Sequence, residues 1–212
     1  MHVIGITGKI CSGKNHISAY LADRGFQAID VDRLGHEILA GEVASIVALF
    51  GDAVREGNAV DRKALAEIVF SDPEKLRLLE EFLHPLMVET CRTRIAEAAA
   101  SDKRGIILNA AVLARMGLDE LCDICLVVEA ACWIRLLRAV RKRGMTVGSF
   151  IRRNRGQHDI TVGSIRSGCR VIRVNNGSGA HNVQNSLDSI MDILDSIDKR
   201  ASCKKVDFCK KS

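Results

Sequence analysis

The stretch that decides the fold is Gly8-Lys9-Ile10-Cys11-Ser12-Gly13-Lys14-Asn15, set between the apolar run Val3–Thr7 and the amphipathic stretch Asn15–Arg24. The three parts read as strand, glycine-bounded loop and helix. The loop fits the pattern GxxxxGK, here followed by Asn. A loop of this kind turns tightly enough for consecutive backbone N–H groups to face one anion. The helix that follows adds the positive end of its dipole. Lys14 supplies a mobile cation for phosphate oxygens. A bare match to this pattern is weak, but a preceding strand and a following helix are the context that phosphate binding requires.

Working outward, Gly25 stops the first helix and Phe26–Asp30 forms a second strand that runs into Asp30-Val31-Asp32. Residues 33–101 read almost entirely as helix, with Asp61 and Ser71 as N-caps and Pro73 in a first turn. Gly105–Asn109 and Asp123–Glu129 are the third and fourth strands. Ala131–Lys142 and Val147–Arg155 are helices joined at Gly144. Val171–Val174 is a fifth strand, closed by Asn175-Asn176-Gly177. Leu187–Ile197 is a last helix, with an apolar face at 187, 190, 191, 194 and 197. Strands alternating with helices predict an α/β fold: a parallel sheet of about five strands, flanked by helices.

The expected organisation is one domain over residues 1–198. Its core spans 1–32 and 102–198, with a helical insertion at about 33–101 and a lid at about 138–160. Residues 199–212 hold six Lys/Arg and one Asp, and are expected to form a disordered basic tail. Within residues 135–173, eleven Lys/Arg stand against the single Asp159. Such a cluster suits either a nucleic-acid backbone or a small polyphosphate ligand. Phe150 is the segment's one aromatic residue, which argues against nucleic acid. Five apolar positions near the N-terminus are too few for a signal sequence, and nowhere do eighteen apolar residues run together. A cytoplasmic protein without a membrane partner is expected. Of the eight cysteines, Cys122 and Cys125 form a CxxC, but it opens a buried-strand run and has no second pair at zinc spacing. Reduced structural thiols are expected.

Beyond the loop, the chain reads Ile29-Asp-Val-Asp-Arg-Leu-Gly-His36, then Phe50-Gly51, Asp61-Arg62 with Leu65, Val69-Phe70 and Leu83-His84-Pro85. Arg143-Gly144-Met145, Arg153 with Gln157, and Asn175-Asn176-Gly177 follow. In order and spacing, these pieces resemble the dephospho-coenzyme A kinases over about residues 1–197. The resemblance implies a P-loop kinase fold with an acceptor-binding helical insertion and a lid. It implies transfer of the γ-phosphoryl of ATP, with Mg2+, to the ribose 3′-hydroxyl of dephospho-coenzyme A. The expected nucleotide contacts are Gly8, Cys11, Ser12, Gly13, Lys14, Asn15, His16 and Asn175. Monomer or weak homo-oligomer is the expected state.

Individual residues carry alternatives. Asp32 ends a strand at the carboxyl edge where open α/β sheets bind ligands, and can take or orient a hydroxyl proton. It can equally cap the helix that follows. Asp30 can assist a metal or orient neighbours. Arg143 resembles the arginine that a closing lid delivers, with Lys142 as its competitor. Arg153 and Gln157, four apart, can reach phosphates or pair with each other. His84 reads mainly as part of a helix kink. Asn175 is either an adenine contact or part of an ordinary turn.

Two positions depart from the resembled pattern. Asn15 stands where a hydroxyl that ligates Mg2+ is usual, and Asn109-Ala110-Ala111 replaces an acidic residue and a proline. Lys9 and Cys11 replace loop glycines. Other readings are a small-molecule kinase with another acceptor, a catalytically weakened nucleotide-binding regulator, and, last, a basic nucleic-acid-binding module.

Overall fold

Every residue of the first strand, β1 (His2–Thr7), is buried, because it lies at the centre of a parallel sheet with neighbours on both sides. In a computed structural model, residues 1–101, 103–177, 185 and 187–196 are described. After β1 come α1 (Lys14–Ala22), β2 (Phe26–Asp30), α2 (Val31–Gly41), α3 (Val43–Phe50), β3 (Arg55–Glu56), β4 (Ala59–Val60), α4 (Arg62–Ser71) and α5 (Pro73–Ala99). The chain continues through β5 (Gly105–Asn109), β6 (Ile124–Glu129), α6 (Cys132–Arg143), α7 (Val147–Arg155) and β7 (Arg170–Asn175).

The main sheet has the order β2-β5-β1-β6-β7, and each of its four pairings is parallel. In register, Ile4 faces Ile107 on one side and Ile124 on the other. From β1 the chain crosses to β2 on one side and later returns to β6 on the other. The carboxyl end of β1 therefore lies at the place where open α/β sheets bind ligands. Ile4, Ile6, Ile107 and Leu126 are fully buried there. Each stabilises the fold by about 1.5–3 kcal/mol relative to an exposed position. The described part of the last helix, residues 187–196, seats Leu187, Ile190 and Leu194 in the same cluster, with Met191 partly buried beside them. Ile197 and the basic tail lie outside the described residues.

The segment 33–101, expected to be almost entirely helical, also contains strand. A two-stranded antiparallel hairpin, β3 with β4, separates α3 from α4. Two-residue strands carry too little periodicity to be read from sequence. Leu39, Ile46, Val54, Val60, Leu65 and Val69 form a small core of their own here, distinct from the clusters on the sheet. Asp61 caps α4 as expected, accepting from Lys63 N and Ala64 N. The cap of α5 is Asp72 rather than Ser71, its carboxylate accepting from Glu74 N. Ser71 closes α4 instead, its hydroxyl donating to Ile68 O.

Candidate active site

The loop between β1 and α1 is shaped by contacts that only glycine tolerates. At Gly8 (φ 154°) a Cβ would sit 2.3 Å from Val128 O. At Gly13 (φ 102°) it would sit 1.9 Å from Asn176 Nδ2. Gly13 opens α1 in a left-handed conformation with no side-chain cap. His16 N already donates to Gly13 O at 3.0 Å, so Lys14 N and Asn15 N are the first-turn N–H groups left for a ligand at the loop. Cys11 is the one described non-glycine residue at positive φ, 59°. That conformation costs a side chain on the order of 1 kcal/mol. Ser12 Oγ is buried and has no hydrogen-bond partner among the described residues. It borders a cavity of about 370 Å³ that Gly8, Ala130, Arg135, Thr161 and Asn175 help to line. An unpartnered buried hydroxyl beside open N–H groups and a cavity is a donor set suited to an oxyanion.

The loop's carbonyls are held away from that mouth by residues distant in sequence. Arg138 donates to Cys11 O at 3.4 Å, Ser12 O at 3.3 Å and Asn176 O at 2.8 Å. Asn176 Nδ2 donates to Ser12 O at 2.7 Å. Buried Arg135 reaches Ala130 O, Ile10 O and Asn154 Oδ1. Gln157 Oε1 accepts from Ile10 N at 2.6 Å. These contacts occupy the carbonyls of Ile10, Cys11 and Ser12, while the N–H groups of Ile10 and Ser12 go to Gln157 Oε1 and Lys9 O. Sequence reasoning singled out neither Arg138 nor Asn176. Both sit in a basic helix and an Asn-Asn-Gly turn whose inward members cannot be told from the outward ones without the fold. Asn176→Ala should weaken anion binding at the loop about tenfold by removing one buried hydrogen bond from it. Isothermal titration of the variant checks this, and unchanged affinity would dismiss the clamp.

The predicted residues separate as follows. Lys14 Nζ donates to Gly8 O at 2.8 Å, folding back across the loop. Burial lowers its pKa from the ordinary lysine value. Asp32 opposes that shift, Arg143 adds to it, and Asp30 opposes it more weakly. The loop lysine and the two groups expected to act with it, Asp32 and Arg143, thus lie within one electrostatic neighbourhood. Asp30, and not Asp32, caps α2: its Oδ1 accepts from Arg33 N at 3.1 Å. The helix begins two residues earlier than its hydrophobic pattern indicates. Asp32 is exposed in the first turn, where its carboxylate receives a long 3.5 Å contact from Ala111 N.

Arg143, Lys142 and Arg153 are all exposed, as is His16. Arg143 ends α6 against Gly144. Gln157 lies past the end of α7, so its bond goes to the loop. Asn175 is exposed on the cavity's edge, its Oδ1 accepting from Gly177 N at 2.9 Å. His84 is half-buried inside the long α5 beside Pro85, and burial lowers its pKa.

The two departures meet. Asn109 Nδ2 donates to Asn15 Oδ1 at 3.1 Å; Asn109 is buried and Asn15 exposed. Away from the site, Cys122, Cys125 and Cys169 lie together. The hydrogen bond from Cys122, then burial, pushes the Cys125 thiol far up. Burial raises Cys169 to about 11. The six described cysteines are free thiols. Protonated thiols are poor nucleophiles and poor metal ligands.

For a divalent cation, the donors at hand are hard oxygens. Mg2+ keeps several waters and takes one or two carboxylates together with ligand phosphates. Exposed Asp32, beside the loop lysine, fits that requirement. Asn15 Oδ1 and Asp30 Oδ1 each accept one protein hydrogen bond, as Asp32 Oδ1 does, and the Asp30 carboxylate keeps further lone pairs for a cation.

Comparisons with known proteins place the chain among relatives of one family. The family model described as Dephospho-CoA kinase matches residues 2–178. The Dephospho-CoA kinase of Streptomyces avermitilis is 39% identical over 147 residues, covering 68% of this chain and 71% of its own length. That of Parasynechococcus marenigrum is 34% identical over 169 residues, covering 78% and 84%. A crystal structure from Thermus thermophilus superposes with a TM-score of 0.75 at 28% identity, covering 91% of this chain and 97% of its own.

Proposed function

The chain belongs to the dephospho-CoA kinase family, and we propose that it holds ATP in the Gly8–Asn15 loop and transfers the γ-phosphoryl group to the ribose 3′-hydroxyl of dephospho-CoA, giving coenzyme A and ADP. The observation that supports this reading is that Lys14, which opens α1 just past the end of β1, feels the charges of both Asp32 and Arg143. No helix among the described residues is long and apolar enough to cross a membrane. The free thiols support a reducing, cytoplasmic compartment.

Each residue then has a task. The first-turn N–H groups and Ser12 Oγ bind phosphate oxygens. Lys14 leaves Gly8 O for the oxygens that gain charge during transfer. Asp32 holds the acceptor hydroxyl in line and takes its proton as the new P–O bond forms and the bond to ADP breaks. Mg2+ arriving with the nucleotide supplies neutralisation of phosphate charge, and Asp32 is the residue that would hold it. The helical insertion that contains α2 and α5 is the part that the family resemblance assigns to the acceptor. A coupled ADP-release assay across dephospho-CoA, other nucleosides and small polyols tests the reading. Release with another acceptor, and none with dephospho-CoA, would replace the substrate.

Arg143 stands at the hinge between α6 and α7 and is proposed to reach the phosphates on closure, so it binds the transferring group more strongly than the ground state. Arg143→Ala is expected to lower kcat about tenfold or more and to change nucleotide affinity little. Lys142→Ala, whose side chain does not figure among the charges acting on Lys14, should do less. Steady-state kinetics of both variants, with nucleotide titration alongside, separates the two. Equal losses would remove the distinction between them.

A further inference from the structure

Asn15 and Asn109 depart from the resembled pattern separately in sequence, yet the fold brings their side chains into one hydrogen bond. Its direction is informative. Asn109 is buried at the carboxyl end of β5 and donates from Nδ2, so the carboxamide oxygen of Asn15 is the atom turned toward the sheet. A carboxamide is planar and trigonal, so its oxygen and its nitrogen point in different directions from the carbon. Tying the oxygen to a buried partner leaves an exposed residue presenting its two N–H donors to the open side. Position 15 is the second residue of α1, directly after Lys14 and at the mouth of the phosphate cradle. What faces the nucleotide from this position is therefore a donor.

We infer that Asn15 serves as a phosphate-binding donor and not as a ligand to the nucleotide's cation, and that Asn109 is the positioning residue that fixes this by holding the Asn15 oxygen inward. The inference rests on the ATP-binding reading of the loop and deepens it. A donor aimed at an anion gives a charge-assisted hydrogen bond, which is stronger than a neutral one. A hydroxyl can serve cation and phosphate alike by rotating; an amide whose oxygen is held toward the sheet offers its N–H groups to the open side. The cation is then left to Asp32, phosphate oxygens and water. Nucleotide binding should depend on metal less than in a loop whose own side chain completes the coordination shell.

The test is isothermal titration of ADP, whose β-phosphate would meet Asn15, in excess EDTA and again in saturating Mg2+. For Asn15→Ala, affinity should fall about tenfold in both conditions, leaving the ratio of the two dissociation constants unchanged. Asn109→Asp replaces the donor by an acceptor. Asn15 should then turn its N–H groups toward the introduced carboxylate and its oxygen outward. Metal-free affinity should fall and the Mg2+ ratio rise at least about fivefold. The same substitution in the Asn15→Ala background reports what the added charge does alone, and should raise the ratio much less. Thermal unfolding of each variant confirms that the fold persists. Should Asn15→Ala bring the ratio to about one, the side chain is a cation ligand and the inference is overturned. Unchanged binding in both conditions would overturn it as well. If the unmodified protein binds no ADP in either condition, the kinase reading itself fails, an outcome distinct from the other two.

Discussion

Lys14→Ala is expected to lower turnover with ATP and dephospho-CoA by at least about a hundredfold while leaving the fold intact. The size follows from the cost of removing one preorganised group that meets charge developing in a transition state. Stability should hold because the ammonium makes its bond to Gly8 O and not to the core. The clamp on the loop from Arg138, Asn176 and Gln157 is independent of it. Steady-state kinetics and thermal unfolding of the same preparation check both halves. Near-normal turnover would sink the assignment of the phosphate loop. The pH profile carries further information. A lysine whose pKa lies below its ordinary value loses its charge at lower pH, so turnover should fall on the alkaline side earlier than for a solvated lysine.

Asp32→Asn should reduce turnover about a hundredfold or more with little change in melting temperature. Asp30 caps α2, so replacing Asp32 removes no helix cap, and its one contact, from Ala111 N, is long. Loss of activity without loss of stability therefore reports a role in the chemistry, at the acceptor hydroxyl or at the cation. Nucleotide affinity, measured without acceptor, should stay close to that of the unmodified protein in the absence of metal. The substitution also removes an interaction that raises the Lys14 pKa. The alkaline limb of whatever activity remains should accordingly move to lower pH. Turnover that survives unchanged would eliminate Asp32 from the chemistry.

The sequence alone determined the elements that local physics specifies. The strand, the glycine-bounded loop and the helix around Gly8–Lys14 were legible because each obeys a short-range rule: an apolar run, a turn that needs positive φ, a 3.6-residue periodicity. The four later strands of the main sheet and the face of the last helix were legible for the same reason, and their alternation implied a parallel sheet. The cap at Asp61 also followed from local pattern. Asp30 against Asp32, and Ser71 against Asp72, did not, because neighbouring residues of equal capping ability are separated by where tertiary packing starts the helix. The hairpin of β3 and β4 was hidden by its brevity. Only the tertiary structure decided which arginines of the basic segment turn inward, since Arg135 and Arg138 find their partners more than a hundred residues away in the loop. It likewise chose Asn176 over Asn175 as the residue buried against Gly13. Asn15 and Asn109 show the limit most clearly. As separate positions one read as an amide standing in for a metal-ligating hydroxyl and the other as a lost carboxylate, and only the register of β5 beside β1 brings them within 3.1 Å of each other. Hydrogen-bond direction between residues 94 apart is a property of the sheet's order, which no local pattern carries.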